Sequence, residues 1–315
     1  MEPTELISQF LPILVLIGLG TIGGRTGFFS EGMIDGFRRL VVTFSLPALL
    51  FSAFSRVQAD GRLALFAGTI YGACALLGII GYGVARLFSL PRPATVFLFQ
   101  GFEAGMLGYA LFTSLYGRTA LPAFASADLG QVLYVFTALM VQLQSRKSEN
   151  PFTISNIVKA MFKSPVILAI VLGILSSIVA PDAKGVPWGE GGWLKPLLDT
   201  VGSLTTPLVC FIVGFGLKDF SLEHMGKSLA VVISRLCVTL LLALLIVQTI
   251  VPGLNFTPFH TAGILTLFIL PPPFIIPLYR TSKEDAAFIS SVLSLHTLIS
   301  LGFAFLIAMV IQLPL

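Results

Sequence analysis

The sequence predicts an all-α polytopic membrane protein, with ten transmembrane helices arranged as two inverted repeats of five. The prediction rests on the apolar composition of the chain and on motifs that its two halves share. Of 315 residues, 56% are hydrophobic and only 11% are charged, and the mean hydropathy is +0.95. Soluble domains are about 45–50% apolar and about 25% charged. The composition therefore excludes a soluble globular protein, a disordered chain and a nucleic-acid-binding protein.

Ten apolar segments are long enough to cross a bilayer, which requires about 20 mostly apolar residues. We number them spans 1 to 10, at residues 7–24, 33–54, 63–88, 94–116, 124–143, 157–180, 196–217, 227–251, 261–279 and 286–312. The acidic start MEPTE favours a retained first helix over a cleaved signal peptide. Residues 1–150 then hold a first unit of spans 1–5, and residues 151–315 hold a second unit of spans 6–10.

Other classes of function lack their motifs in this sequence. Cys74, Cys210 and Cys237 lie singly in apolar runs, without the spacing of a disulfide framework or a zinc site. An intramembrane protease would carry HExxH, GxGD or a Ser/His arrangement in its spans, and these patterns are absent. The sequence therefore predicts no enzyme, no metal site and no cofactor other than a coupling ion.

The distribution of basic residues predicts the orientation in the membrane. Of the 19 Lys and Arg residues, 13 lie at odd-numbered loops, whereas Arg56, Arg62, Arg118, Lys184 and Lys195 lie at even-numbered loops. Loops that are rich in Lys and Arg stay in the cytoplasm. Both termini are therefore expected outside the cytoplasm.

The two halves share motifs at a constant offset of 160 residues. Pro47 in SLPALLFSAF of span 2 pairs with Pro207 in TTPLVCFIVG of span 7. Spans 5 and 10 add three further pairs, which are Val132 with Val292, Leu133 with Leu293 and Thr137 with Thr297. Because five is an odd number, the second copy enters the membrane from the opposite side. Many secondary transporters have such inverted repeats; the alternative is a duplicated scaffold without transport.

Span 9 contains a segment that a regular helix does not tolerate. Its LPPPFIIP sequence includes Pro271, Pro272, Pro273 and Pro277. Proline lacks an N–H donor and clashes with the preceding turn. We expect an unwound segment near the middle of the membrane, where transporters often place their sites. A kinked but continuous helix is the alternative.

Span 4 carries the corresponding segment, QGFEAGMLGY. Gly101, Gly105 and Gly108 permit unusual backbone angles, although glycines alone would also fit close helix packing. Glu103 favours a functional site, because a charge at the bilayer centre costs about 2.5–3.5 kcal/mol on the translocon scale. The alternative is a structural ion pair with Arg235 of span 8. Arg235 itself is expected to extend to the cytoplasmic interface.

These motifs together resemble the auxin efflux carrier family, including its short bacterial members and the plant PIN-formed carriers. The resemblance covers essentially the whole chain and rests on FSLPALLF, MLGYALFTSLYG, LPPPFIIP and SSVLSLHTLISL, in that order. The family is related to the bile acid/sodium symporter superfamily. The lack of a long central loop is similar to the bacterial type, which implies a bacterial inner membrane.

The resemblance implies a scaffold domain of spans 1, 2, 6 and 7 and a transport domain of spans 3–5 and 8–10. Spans 4 and 9 would cross as broken helices at the substrate site. The implied activity is efflux or exchange of small organic anions, either auxin-like monocarboxylates or malate- and malonate-like dicarboxylates, by an elevator movement. The family also implies a homodimer through the scaffold domain.

The expected substrate site combines both broken spans with span 5. Its residues are Glu103, Gly105, Gly108, Gln131, Pro272, Pro273, Phe274, Ile275 and Pro277. Backbone N–H groups at the crossover would hold the substrate carboxylate. Glu103 and His296 are the candidates for binding a coupling H⁺ or Na⁺. His296 could instead simply hydrogen-bond within the bundle, and Asp128 is expected to be an interfacial cap.

Two residues depart from the family pattern. Ala110 stands where span 4 of the family usually has proline, and Glu103 stands where it commonly has asparagine. A fixed negative charge would oppose anion binding unless Glu103 binds H⁺ or Na⁺ or stays protonated. The alternatives are therefore a sodium-coupled symporter of the bile-acid type, or a membrane sensor or channel without transport.

Overall fold

The computed structural model of the chain describes residues 3–145, 163–181, 183–218, 225–254, 256–279 and 283–311. Within these ranges the secondary structure is helical and contains no β-strand. Seven helical stretches are long and apolar enough to cross a membrane, and three apolar helices are shorter. The predicted class, an all-α membrane protein, is confirmed.

The helices follow the ten predicted spans in order, and we number them accordingly. Their bounds are Pro3–Arg25 (α1), Glu31–Phe54 (α2), Gly61–Leu87 (α3), Arg92–Tyr116 (α4), Arg118–Gln144 (α5), Pro165–Val179 (α6), Lys195–Gly216 (α7), Met225–Thr249 (α8), Pro258–Ile269 with Ile276–Tyr279 (α9) and Lys283–Val310 (α10). Residues 157–162 of the predicted span 6 lie outside the described residues. The inverted relation of the two halves stays a prediction.

The paired prolines of the two halves follow similar irregularities. A wide π-helical turn, Val41–Ser45, precedes Pro47 in α2. In α7 the helix is interrupted at Leu204, three residues before Pro207. Proline cannot donate to the preceding turn, so the helix on its N-terminal side widens or bends. The shared motif thus has a similar local effect in both halves.

Glycines allow α1 to pack closely along α7. A side chain at Gly20 would place its Cβ 2.6 Å from the Phe211 carbonyl oxygen, and a Cβ at Gly214 would collide with the Ile17 carbonyl. The Thr21 hydroxyl donates across the same contact to the Gly214 carbonyl at 2.8 Å. Small residues let membrane helices approach until their backbones touch. In the same way, Gly173 of α6 lies against Phe54 of α2.

The other helices pack around α4 and α9. The Tyr71 hydroxyl of α3 lies 3.3 Å from the Thr137 hydroxyl of α5. Gly263 brings α9 against the backbone of α5, where its Cβ would lie 3.3 Å from the Phe124 Cα. The Ser228 hydroxyl of α8 donates to Ser291 of α10 at 3.0 Å. The Gly263 contact touches an interrupted helix directly, whereas the two hydroxyl pairs join neighbouring helices to each other, α3 to α5 and α8 to α10.

The close contact between α1 and α7 generates a stability prediction. Gly20→Ala should lower the melting temperature, because the added Cβ meets backbone atoms, and such overpacking costs about 1–3 kcal/mol. Gly18→Ala is the matched control in the same helix, since a Cβ there has nothing within 4 Å. Both variants gain the same helix propensity. The melting temperatures of the two purified variants are compared by thermal unfolding in detergent. Equal melting temperatures would contradict the close packing of α1 against α7.

Candidate functional site

Both predicted interruptions are present. The first part of α4, which we call α4a, is Arg92–Phe99. The second part, α4b, starts with a π-helical turn at Ala104–Gly108 and continues to Tyr116. In α9, the first part α9a ends at Ile269, residues 270–275 are not helical, and a short 3₁₀ turn follows at Ile276–Tyr279. The alternative of a kinked but continuous α9 is wrong.

The two breaks meet, and local sequence explains why. Three successive prolines end α9a, while Gly101 in the break of α4 has φ +68°, which favours glycine. A Cβ on Gly101 would lie 2.9 Å from Val135 and 3.1 Å from Pro273. The Glu103 N–H donates to the Pro271 carbonyl at 2.8 Å and joins the two broken segments directly.

Arg235 of α8 binds the carbonyl groups that the break in α4 leaves free. One guanidinium nitrogen donates to the Leu98 carbonyl at 3.1 Å and to the Phe99 carbonyl at 2.9 Å. The other donates to the Gly101 carbonyl at 2.7 Å and reaches the Leu270 carbonyl of α9 at 3.4 Å. The side chain is fully buried. A cation at helix C-termini also complements the helix dipole.

Two uncharged side chains bind further carbonyls of the breaks. The Gln131 amide nitrogen donates to the Phe102 carbonyl at 2.6 Å, and the Ser300 hydroxyl donates to the Ile269 carbonyl at 2.6 Å. Backbone groups without partners are costly inside a bilayer, where water cannot replace them. The crossover is therefore held by side chains from α5, α8 and α10.

The Glu103 carboxylate binds the N–H groups of the breaks. One oxygen accepts from the Met106 N–H at the start of α4b at 3.2 Å. The other accepts from the Phe274 N–H in the break of α9. The residue is 7% exposed, and no ion pair joins it to Arg235 in the described parts of the chain. A carboxylate thus occupies the point where α4b and α9 both present N–H donors.

The remaining predicted site residues differ in their contacts and in their burial. Gly105 faces Leu46 of α2, and Gly108 packs against Leu270 and Phe124. Burial divides the others: Pro272, Pro273 and His296 are buried, whereas Ile275 and Pro277 are half-buried. His296 lies within electrostatic range of Arg235 and beside the backbone of Ile269, and its ring nitrogens make no hydrogen bond of regular geometry to a described residue.

Two expectations about charged side chains are wrong. Arg235 does not extend to the membrane interface, because its guanidinium turns inward to the carbonyls of the crossover. Asp128 is not an interfacial cap: it lies inside the helical run Leu121–Tyr134 of α5 and is 1% exposed. In both cases the chain packs further charged groups into the protein interior.

Sequence reasoning also missed a polar cluster beside the break in α4. The Gln100 and Gln142 amides bind each other at 3.0 and 3.1 Å, and the Tyr134 hydroxyl donates to Gln100 at 2.7 Å. Gln100 immediately precedes Gly101 in the break. This position next to the glycine was the signal in the sequence that could have indicated the cluster. Amides carry both a donor and an acceptor, so such a pair satisfies itself in an apolar setting.

A polar pocket opens near the starts of α3, α5 and α9. It has a volume of about 230 Å³, and its lining includes Arg56, Arg62, Ser126 and His260. Arg56 also pairs with Glu190 at 3.3 Å. The pocket adds a second polar region, on the side of the molecule where the loops after spans 2, 4 and 8 lie.

A polytopic helical protein whose broken helices meet at a buried carboxylate has the features of a secondary transporter. The chain belongs to the membrane transport protein family, the auxin efflux carriers that its motifs resemble, whose sequence model matches residues 5–279. It is 25% identical over 238 residues to the uncharacterized transporter YfdV of Escherichia coli K12, covering 71% of this chain and 72% of that protein. An uncharacterized transporter of Methanothermobacter thermautotrophicus is 25% identical over 234 residues, or 71% of each chain.

The carbonyl contacts of Arg235 generate a second prediction. Arg235→Gln should destabilise the protein by about 1.5–3 kcal/mol, the usual worth of hydrogen bonds to a charged group, because the carbonyls lose their charged donor. Arg86→Gln, at an exposed arginine of α3, is the matched control. Thermal unfolding and the yield of monodisperse protein measure the difference. If Arg235→Gln unfolds at the wild-type temperature, the guanidinium does not hold the breaks together.

Proposed function

We propose that the protein is a secondary active transporter of small organic anions, such as auxin-like monocarboxylates or malate- and malonate-like dicarboxylates. One observation carries the proposal: the N–H groups of Met106 and Phe274, which belong to both broken helices, already bind a carboxylate. That carboxylate is Glu103 of the chain itself. A substrate carboxylate would replace Glu103 on the same donors.

The neighbours of Glu103 favour H⁺ over Na⁺ as the ion that it binds. Both of its oxygens face N–H donors, which attract an anion and repel a metal cation. A proton neutralises the carboxylate and weakens its hold on those donors. The Asp128 carboxylate of α5 lies within electrostatic range of Glu103. The Arg235 guanidinium of α8 binds carbonyls of the breaks and has the His296 ring of α10 beside it. Proton uptake by Glu103 would therefore accompany anion binding.

The packing supports an elevator-type movement. α1 packs along α7 and α6 along α2, as an internal scaffold would, while α3, α5, α8 and α10 surround the crossover. Gly105 at the crossover faces Leu46 of α2, so the moving surface would pass along that helix. In the orientation that the basic loops predict, the pocket that Arg56, Arg62 and Asp60 line faces outward. We further propose an inner-membrane location and a dimer through α2 and α7.

Charge movement in reconstituted membranes tests the proposal. Wild-type protein on a solid-supported membrane should give saturable, pH-dependent currents with dicarboxylates, which keep a net negative charge when they move with one proton. A monocarboxylate that moves with one proton carries no net charge, so its saturable, pH-dependent exchange is followed with labelled substrate. Glu103→Gln should keep exchange of labelled substrate but lose the pH dependence, because its side chain cannot take up the proton. Removing one charged hydrogen-bond acceptor is worth about 1.5–3 kcal/mol, so apparent anion affinity should rise roughly tenfold or more.

Asp35→Asn is the matched control, since Asp35 is exposed on α2 and pairs with Arg38 at 2.9 Å. It should behave as wild type. If transport by Glu103→Gln keeps the pH and Na⁺ dependence of the wild type, Glu103 does not bind the coupling ion. A strict Na⁺ requirement for every substrate would favour the bile-acid-type symporter. Absence of labelled-substrate counterflow in the wild type would favour a sensor or channel.

A further inference from the structure

Asp128 is a buried carboxylate with no positively charged or N–H partner among the described residues. It is 1% exposed, and the polar group beside it is the neutral Tyr109 hydroxyl of α4b, whose geometry falls short of a regular hydrogen bond. On α5 it shares a face with Phe124 and Gln131, four residues before it and three after. Phe124 packs edge-on against Tyr109 of α4b, with ring centroids 4.9 Å apart, and Gln131 binds the Phe102 carbonyl. Asp128 therefore faces α4b, close to the crossover.

Three further oxygen atoms lie in the same interface and make no regular hydrogen bond. They are the Gln131 amide oxygen, the Tyr109 hydroxyl and the Thr266 hydroxyl, all on residues at most 4% exposed. The Tyr109 hydroxyl is the hydrogen-bonding neighbour of Asp128, at a geometry short of a regular hydrogen bond. Thr266 lies between Gly263, which contacts the Phe124 backbone, and Leu270, which contacts Gly108. It therefore sits on the face of α9a that meets α5 and α4b.

This set of atoms calls for a positive ion. An unpaired carboxylate inside a bilayer is costly, and such groups pair or hold cations. A proton would give Asp128 a single O–H donor, which serves one neighbouring acceptor oxygen and no more. Arg235 does not reach the set by any hydrogen bond: its two terminal nitrogens donate to carbonyls of the breaks, and its Nε–H has no partner among the described residues. A small metal cation would satisfy carboxylate, amide and hydroxyl oxygens together.

We propose that Asp128, Gln131, Tyr109 and Thr266 form a binding site for one small monovalent metal cation, with Na⁺ as the probe. Asp128 supplies the charge, and the other three residues supply neutral oxygens. The ion would join α5 to the second half of α4 and the first half of α9, and so stabilise the crossover. The ion is a structural part of the crossover in this proposal, so its binding does not depend on the proposed transport function.

Ion-dependent thermal stability tests the site without any substrate. Purified full-length protein in detergent is melted in NaCl and in choline chloride at equal ionic strength, because a ligand that binds the folded state raises the melting temperature. The wild type should show a saturable rise with Na⁺. Asp128→Asn should abolish the rise, and Thr266→Val should weaken apparent Na⁺ affinity tenfold or more. Asp35→Asn and Thr249→Val, an exposed threonine at the end of α8, are the matched controls and should respond as wild type.

Two results would overturn the site. One is a wild-type melting temperature that is the same in both salts, which would mean that Asp128 is buried in protonated form. The other is an unchanged Na⁺ response in Asp128→Asn. If Asp128→Asn does not fold, Thr266→Val decides the question, because it removes a single oxygen while keeping shape. A failure of anion transport leaves this readout unaffected, so the two proposals fail separately.

Discussion

A broken helix inside a bilayer must find partners for every backbone group that the break frees, and this constraint organises the centre of the molecule. The Arg235 guanidinium donates to carbonyls of both helices, and the Glu103 carboxylate accepts from N–H groups of both. Neither residue pairs with the other. Arg235 faces carbonyls at the ends of α4a and α9a, and Glu103 faces N–H groups at the start of α4b and in the break of α9. Each charge therefore meets backbone groups of opposite partial charge. Removing either one would leave backbone dipoles exposed to an apolar interior.

The breaks themselves could be predicted from the sequence because their causes are local. Three prolines in a row and a glycine at positive φ restrict the backbone whatever surrounds them. The apolar runs placed all ten helices for the same reason, since length and composition decide whether a segment crosses a membrane. The same local reasoning located Glu103, whose position next to the predicted break was visible in the sequence.

The partners of the charged residues could not be predicted, because they depend on which helices touch. The position of Arg235 eight residues after Lys227 suggested a route to the interface, yet α8 packs so that the side chain turns inward. Asp128 stands near the start of an apolar span, where a cap is the common interpretation, but α5 begins earlier and is enclosed by its neighbours. Spacing along one helix does not specify the direction in which that helix faces.

A carboxylate that belongs to the chain is also a competitor that never diffuses away. In the proposed cycle Glu103 meets its N–H donors at an effective concentration that its short tether sets, on the order of millimolar or higher. A free anion has to approach that concentration, or bring a second anchoring group, before it displaces Glu103. Anions that bind the crossover weakly would therefore leave Glu103 on its donors, whatever their identity. A substrate that binds through more than one group would displace it.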